Sequence, residues 1–155
     1  MRISKNDIDA AILKSYGSFE NPNLDFLDKA FMSQPYQRLI EELGKVYSIT
    51  DYTDLNYDRS FNYALTKGDS VYGLKLSMVG KIAFLYSLDD NEKWVVLTEE
   101  SSEVSNIVVA LERYGFKLMR KEDLILPIEI DIPGNEASIA YCVLFNELDE
   151  TYLLN

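Results

Sequence analysis

The chain has 155 residues, 47% of them hydrophobic, and carries 26 acidic against 15 basic side chains for a net charge of −11. That length suits one domain, residues 1–155, burying roughly 70% of the surface its unfolded form exposes, which excludes disorder over most of the chain. The negative field repels nucleic-acid phosphates and anionic lipid, so neither is expected as a partner, whereas a basic protein is favoured.

Other absences narrow the chemistry. There is no histidine and only one cysteine, Cys142, so Ser-His-Asp and Cys-His nucleophiles, an internal disulfide and the common zinc sites are all excluded. Cys142 lies in the apolar run IAYCVLF and reads as a buried, inert thiol. No glycine pattern for cradling phosphate occurs. The N-terminal residues lack the apolar core of a signal peptide and no run reaches the ~20 apolar residues of a membrane span, so a cytoplasmic location is expected. No cofactor and no metal are expected.

Residues 1–47 read as mostly helical. Ser4 and Asp7 have capping-box spacing, Ile8, Ala11, Ile12 and Tyr16 keep helical spacing, and Gly17 ends the turn. Asn21-Pro22 offers a second start, with Leu24, Leu27 and Phe31 on one face. Ser33-Gln34-Pro35 offers a third, followed by Leu39, Ile40, Leu43 and Val46. Residues 48–60, SITDYTDLNYDRS, have no clean period and read as a loop or a ragged edge strand.

From Phe61 the period becomes two. Phe61, Tyr63 and Leu65, then Tyr72, Leu74, Leu76 and Met78, then Ile82, Phe84, Tyr86 and Leu88 alternate with polar or small residues. Trp94 opens a fourth strand. Short turns at Lys67-Gly68-Asp69, Gly80-Lys81 and Asp89-Asp90-Asn91-Glu92 make residues 61–98 an antiparallel meander. Three glutamates follow, in LTEESSEVSNIVVALERYG. Val104, Ile107, Val108 and Leu111 are spaced as one helical stripe, so a helix is expected over residues 102–115, capped by Ser101 or Ser102 and closed by Gly115. Glu99, Glu100 and Glu103 then sit where the helix dipole favours a carboxylate. Residues 124–146 return to β character, with Pro127 confining the first strand to an edge. The last residues form a short strand or a docking tail. The fold class expected is α+β: a mainly antiparallel sheet, built from the four-stranded meander plus C-terminal strands, with N-terminal helices and one helix after the meander.

Carboxylates and tyrosines remain as instruments. After Lys121 no basic residue follows, while eight acids do. Asp51, Tyr52, Asp54, Tyr57 and Asp58 interleave in the stretch of poorest periodicity, where amphipathic rings beside carboxylates suit a basic protein surface. Asp89, Asp90 and Glu92 form the other acidic cluster; it is too short to wrap calcium and reads first as a solvated hairpin turn. These eight residues are the partner-binding candidates. The function expected is a non-catalytic acidic binding protein that docks on and inhibits a basic protein, of the toxin-immunity or enzyme-inhibitor type. This is a comparison of physical type only. Two alternatives stay open: a carboxylate-based hydrolase, which requires two close acids in a concave pocket, and a self-assembling subunit using the apolar tail.

Overall fold

Alternation between residues 60 and 97 builds the centre of the molecule. The computed structural model describes residues 2–155. In it β1 (Ser48–Asp51), β2 (Ser60–Lys67), β3 (Ser70–Ser77), β4 (Ile82–Leu88) and β5 (Trp94–Leu97) form an antiparallel sheet in sequence order. The β2–β3 register closes at Lys67 opposite Ser70, leaving a two-residue turn in which Gly68 takes φ +60°. The aperiodic stretch divides in two: its first four residues pair with β2 as an edge strand and the remainder is irregular. A two-residue strand, β6 (Lys117–Leu118), adds a parallel pairing beside β4.

Each face of the sheet packs its own helices. On one face Phe61, Leu65, Leu74, Leu76 and Leu85 lie beneath α3 (Gln37–Leu43) and α4 (Ser105–Arg113), which contribute Leu39, Leu43, Ile107 and Leu111. On the other, Ile82, Phe84 and Trp94 meet α1 (Lys5–Tyr16) and α6 (Ala140–Leu144). Ile8 and Ile12 of α1 are fully buried, each such side chain contributing about 1.5–3 kcal/mol.

The N-terminus of α1 follows its sequence signals closely. Asp7 N–H donates to Ser4 Oγ (3.1 Å), Ser4 N–H donates to Asp7 Oδ2 (2.9 Å), and Gly17 closes the helix at φ +80°. The Ser4 amide and the Lys117 ammonium (3.0 Å) hold the Asp7 carboxyl down at about 2. α2 (Asp25–Ser33) starts three residues later than Pro22 suggests. Ser18 Oγ accepts from the N–H groups of Glu20 and Asn21, and Asn23 Oδ1 from that of Asp25, so side-chain bonds hold this segment as turns. α4 is preceded by a 3-10 turn at Ser102–Val104, and Ser101 Oγ accepts from Thr98 N–H instead of capping it. Gly115 ends the helix at φ +86°. Of the three glutamates, Glu99 pairs with Arg120 at 2.6 Å.

The C-terminal strands do not form. α5 (Lys121–Leu124) opens that region, residues 125–139 make no ladder beyond a single bridge between Pro127 and Ile139, and the apolar run becomes α6. Proline removes a ladder donor, and a run apolar on every side suits a helix enclosed all round as well as a buried strand. The tail docks inside the chain: Asn155 N–H donates to Trp94 O, with Leu153 and Leu154 packed nearby. Among the described residues no helix is long and apolar enough to cross a membrane.

All five side chains of α6 are buried, so the carbonyls of its last turn need partners from elsewhere. Arg59 Nη1 donates to Cys142 O (2.7 Å), Tyr16 Oη to Val143 O (2.6 Å) and Ser77 Oγ to Leu144 O (2.7 Å). Phe145 O accepts from Arg59 N–H (2.8 Å) and Ser60 Oγ (3.0 Å). Tyr16→Phe keeps the ring and orphans the Val143 carbonyl, so chemical denaturation should show a loss of about 1–3 kcal/mol; an unchanged midpoint would remove this bond from the account.

Candidate functional site

Helices cover only part of the second sheet face. Over β2 and β3 the outward positions hold Asn62, Ala64, Gly73 and Lys75, and these floor a recess of about 610 Å³. The loop after β1 walls it on one side with Tyr52, Asp54, Tyr57 and Asp58. Asp69 and Val71 from the β2–β3 hairpin, Tyr86 and Leu88 from β4, and Asn146, Leu148 and Glu150 from the C-terminal segment complete the rim. Gly73 is required here. It pairs with Tyr86, and a Cβ on it would lie 2.1 Å from the tyrosine ring, so only glycine lets that ring cross the strand. Tyr86 in turn stacks on Phe84 at 5.0 Å and packs against Trp94 at 5.1 Å.

Hydrogen bonds fix the wall. Asp58 is 8% exposed; its Oδ1 accepts from Asn146 Nδ2 (2.7 Å) and its Oδ2 from Asp54 N–H (2.7 Å). Asn146 Oδ1 accepts from Leu148 N–H (2.8 Å), and Glu147 N–H donates to Tyr57 O (3.0 Å), tying the C-terminal segment to the loop. Tyr141 Oη donates to Glu150 Oε1 at 2.5 Å. Burial raises the Asp58 carboxyl above its ordinary range, against the opposing pull of the Asp54 amide, Lys75 and Asn146. Burial likewise pushes the Tyr86 phenol up to about 12.

Lys75 is the unusual group. It is 7% exposed, lines the recess, and makes no hydrogen bond or ion pair with any described residue. Its ammonium lies 6.0 Å from the centre of the Trp94 ring and feels the charges of Glu150 and Asp58. Burial outweighs both carboxylates and lowers its pKa.

The sequence candidates divide. Tyr52, Asp54, Tyr57 and Asp58 come together at the recess, with Tyr52 66% and Tyr57 44% exposed. Asp51 does not join them. It pairs with Tyr63 in the β1–β2 ladder, and its Oδ1 accepts from Thr53 N–H. Asp89, Asp90 and Glu92 lie in the β4–β5 turn, away from the recess lining. Asp89 builds that turn by accepting from the N–H groups of Asn91 and Lys93. Sequence reasoning missed Lys75, Asn62, Tyr86, Asn146 and Glu150. Gly73 beside Lys75 was the available signal, since glycine inside a strand marks a close approach.

The arrangement can bind a polar guest between one ammonium and several carboxylates. Among the described residues no group of three or more His, Cys, Asp or Glu is placed to hold a metal. Compared with known proteins, the chain matches no family model, and no curated protein or solved structure is similar to it.

Asp58→Asn should destabilise the fold by about 1–3 kcal/mol at neutral pH, because a carboxamide faces the Asp54 and Asn146 donors with one acceptor where two are needed. The pH dependence follows from the raised carboxyl. The folded chain holds a proton that the unfolded chain has released, so the parent gains on the variant as pH falls through the folded pKa toward the ordinary 3.8. Denaturation midpoints of both proteins across the acid range check this; a gap that narrows on acidification would contradict it.

Proposed function

We propose that this chain is a non-catalytic acidic binding protein that docks on a basic partner protein through the recess and blocks it, as toxin-immunity proteins and other enzyme inhibitors do. The observation that carries the reading is the fate of the tyrosine–aspartate segment. It forms a recess wall with two tyrosines still largely open to solvent. The lining holds four carboxylates, Asp54, Asp58, Asp69 and Glu150, against the single ammonium of Lys75. Exposed rings supply contact area at low conformational cost, and the surplus negative charge speeds encounter with a cationic surface. A cytoplasmic location belongs to the same proposal, supported by the unpaired Cys142 thiol, which burial pushes up to about 11.

One observation favours a carboxylate-based hydrolase instead, namely a desolvated acid, Asp58, in a concave site beside Glu150. Both Asp58 oxygens are already engaged by neighbouring donors, which suits a positioning role better than proton transfer. The apolar tail that suggested self-assembly is used within the chain.

A blocked peptide bearing lysine and arginine, Ac-Gly-Lys-Gly-Arg-Gly-NH2, provides the test. At low salt it should shift backbone amide resonances in residues 52–58, 69–73 and 146–150. Tyr52→Ala or Tyr57→Ala should weaken it roughly tenfold. Asp54→Asn combined with Asp69→Asn should flatten its salt dependence while Tm barely moves. Shifts confined to another surface, or affinities unchanged in every variant, would sink the proposal.

A further inference from the structure

The recess has two zones of different chemistry. Its mouth carries exposed tyrosines with Asp54 and Asp69, suited to a cation. Its floor holds Lys75, which feels two carboxylates, Asp58 on the wall and Glu150 on the rim, with no ion pair formed between them. Opposite charges kept apart in the recess leave, on both sides, hydrogen-bonding capacity that the chain itself does not meet. Lys75 has donors without an acceptor. Asp58 uses two of its four lone-pair positions, and Glu150 accepts a single bond, from Tyr141.

Three kinds of guest can be compared by charge and by count. A cationic side chain at the floor would set a second positive group beside Lys75 while leaving the lysine without an acceptor. A carboxylate would satisfy Lys75 but add a third negative group to two already held there. A primary amide adds no charge. Its carbonyl accepts once from Lys75, and its two N–H groups can donate one to each carboxylate. Bridging water has the same donor and acceptor character, so an amide that reproduces those bonds displaces water with little loss.

Resting on the docking proposal, we infer that the partner places a neutral primary amide, from glutamine or asparagine, over Lys75 at the recess floor and between Asp58 and Glu150 beside it, with a basic residue of the same segment held at the acidic mouth. The Lys75 ammonium is the anchor for the amide oxygen. Its burial without a partner is the cost that the bound amide offsets.

Four blocked peptides, Ac-Gly-Xaa-Gly-Arg-NH2 with Gln, Glu, Lys or Leu at Xaa, test the assignment by calorimetry on the intact chain. The Gln peptide should bind about tenfold more tightly than the other three. Lys75→Met should bring the Gln and Leu peptides to the same affinity. Glu150→Gln retains a hydrogen-bonding partner for Tyr141 and should lower the Gln preference on its own, which keeps the test valid if the methionine variant folds poorly. Equal affinity for all four, a preference for Glu or Lys, or a Gln preference that survives both substitutions would overturn the inference. N-acetylglutamine amide, compared with N-acetylleucine amide, separates the two readings. Its shift of the Trp94 indole N–H, absent in Lys75→Met, with no Arg peptide bound at low salt, would keep the floor assignment and sink the basic partner. Arg-peptide binding with no such shift would do the reverse.

Discussion

The fold and the recess both depend on the satisfied carbonyls of α6. A five-residue helix enclosed by protein has too few internal bonds to stand alone, and each unmet carbonyl would cost about 1–3 kcal/mol. Arg59, just before β2, with Ser60 of β2, Ser77 of β3 and Tyr16 of α1, meet them. These donors sit where the sheet turns toward the C-terminal half. Arg59 follows Asp58 directly, and Phe145 precedes Asn146. The bonds that make α6 possible therefore also clamp the two segments that wall the recess, and Asp58 meets Asn146 because their neighbours are already joined.

That dependence explains what the sequence reveals and what it hides. The meander was legible because Phe61, Leu65, Leu74, Leu76 and Leu85 repeat with a period of two on one buried face. The capping box of α1 was legible because Ser4 and Asp7 act within three residues of each other. α6 was not. Residues 140–145 are buried on all sides, which erases periodicity, and the donors that stabilise the helix lie between 67 and 127 residues away in the chain. No local pattern records them. The β1 edge was half legible, since its four residues pair with β2 but only Ile49 turns toward the core.

The candidate site shows the same division. Tyrosines and aspartates interleaved in an aperiodic stretch set residues 52–58 apart from the core, since a segment needed there would carry the core's period, and Tyr52, Asp54, Tyr57 and Asp58 line the recess. Asp51 does not line the recess, being the last residue of β1 in register with β2. Lys75 was invisible for another reason. In an alternating strand it occupies the position of an ordinary solvated lysine, and only the C-terminal segment, arriving through α6, encloses it. Asp89, Asp90 and Glu92 lie in a turn outside the recess lining, where Asp89 accepts from its own loop, and composition alone does not separate turn-building from partner-binding aspartates.

A buried lysine with no acceptor or ion pair among the described residues, its ammonium 6.0 Å from the centre of the Trp94 ring, sets the energetic character of the floor. Placing a methylene-rich side chain there would spare the desolvation that lowers the lysine pKa, and replacing buried charge with apolar volume is often neutral or stabilising. Stability alone therefore does not favour Lys75 at this position. Its neighbours do not remove the cost either: the two carboxylates act on it through space, and burial still prevails. Meanwhile Gly73 and Ala64 leave space over the adjoining floor, and Tyr86 crosses Gly73 to pack against Trp94, the ring that the lysine faces. Groups that weaken a fold where they sit, inside a space kept open by small residues, follow the trade between stability and function found at binding sites. Lys75 and the opening over Gly73 share one face of β3, so the core packed beneath the opposite face accounts for neither.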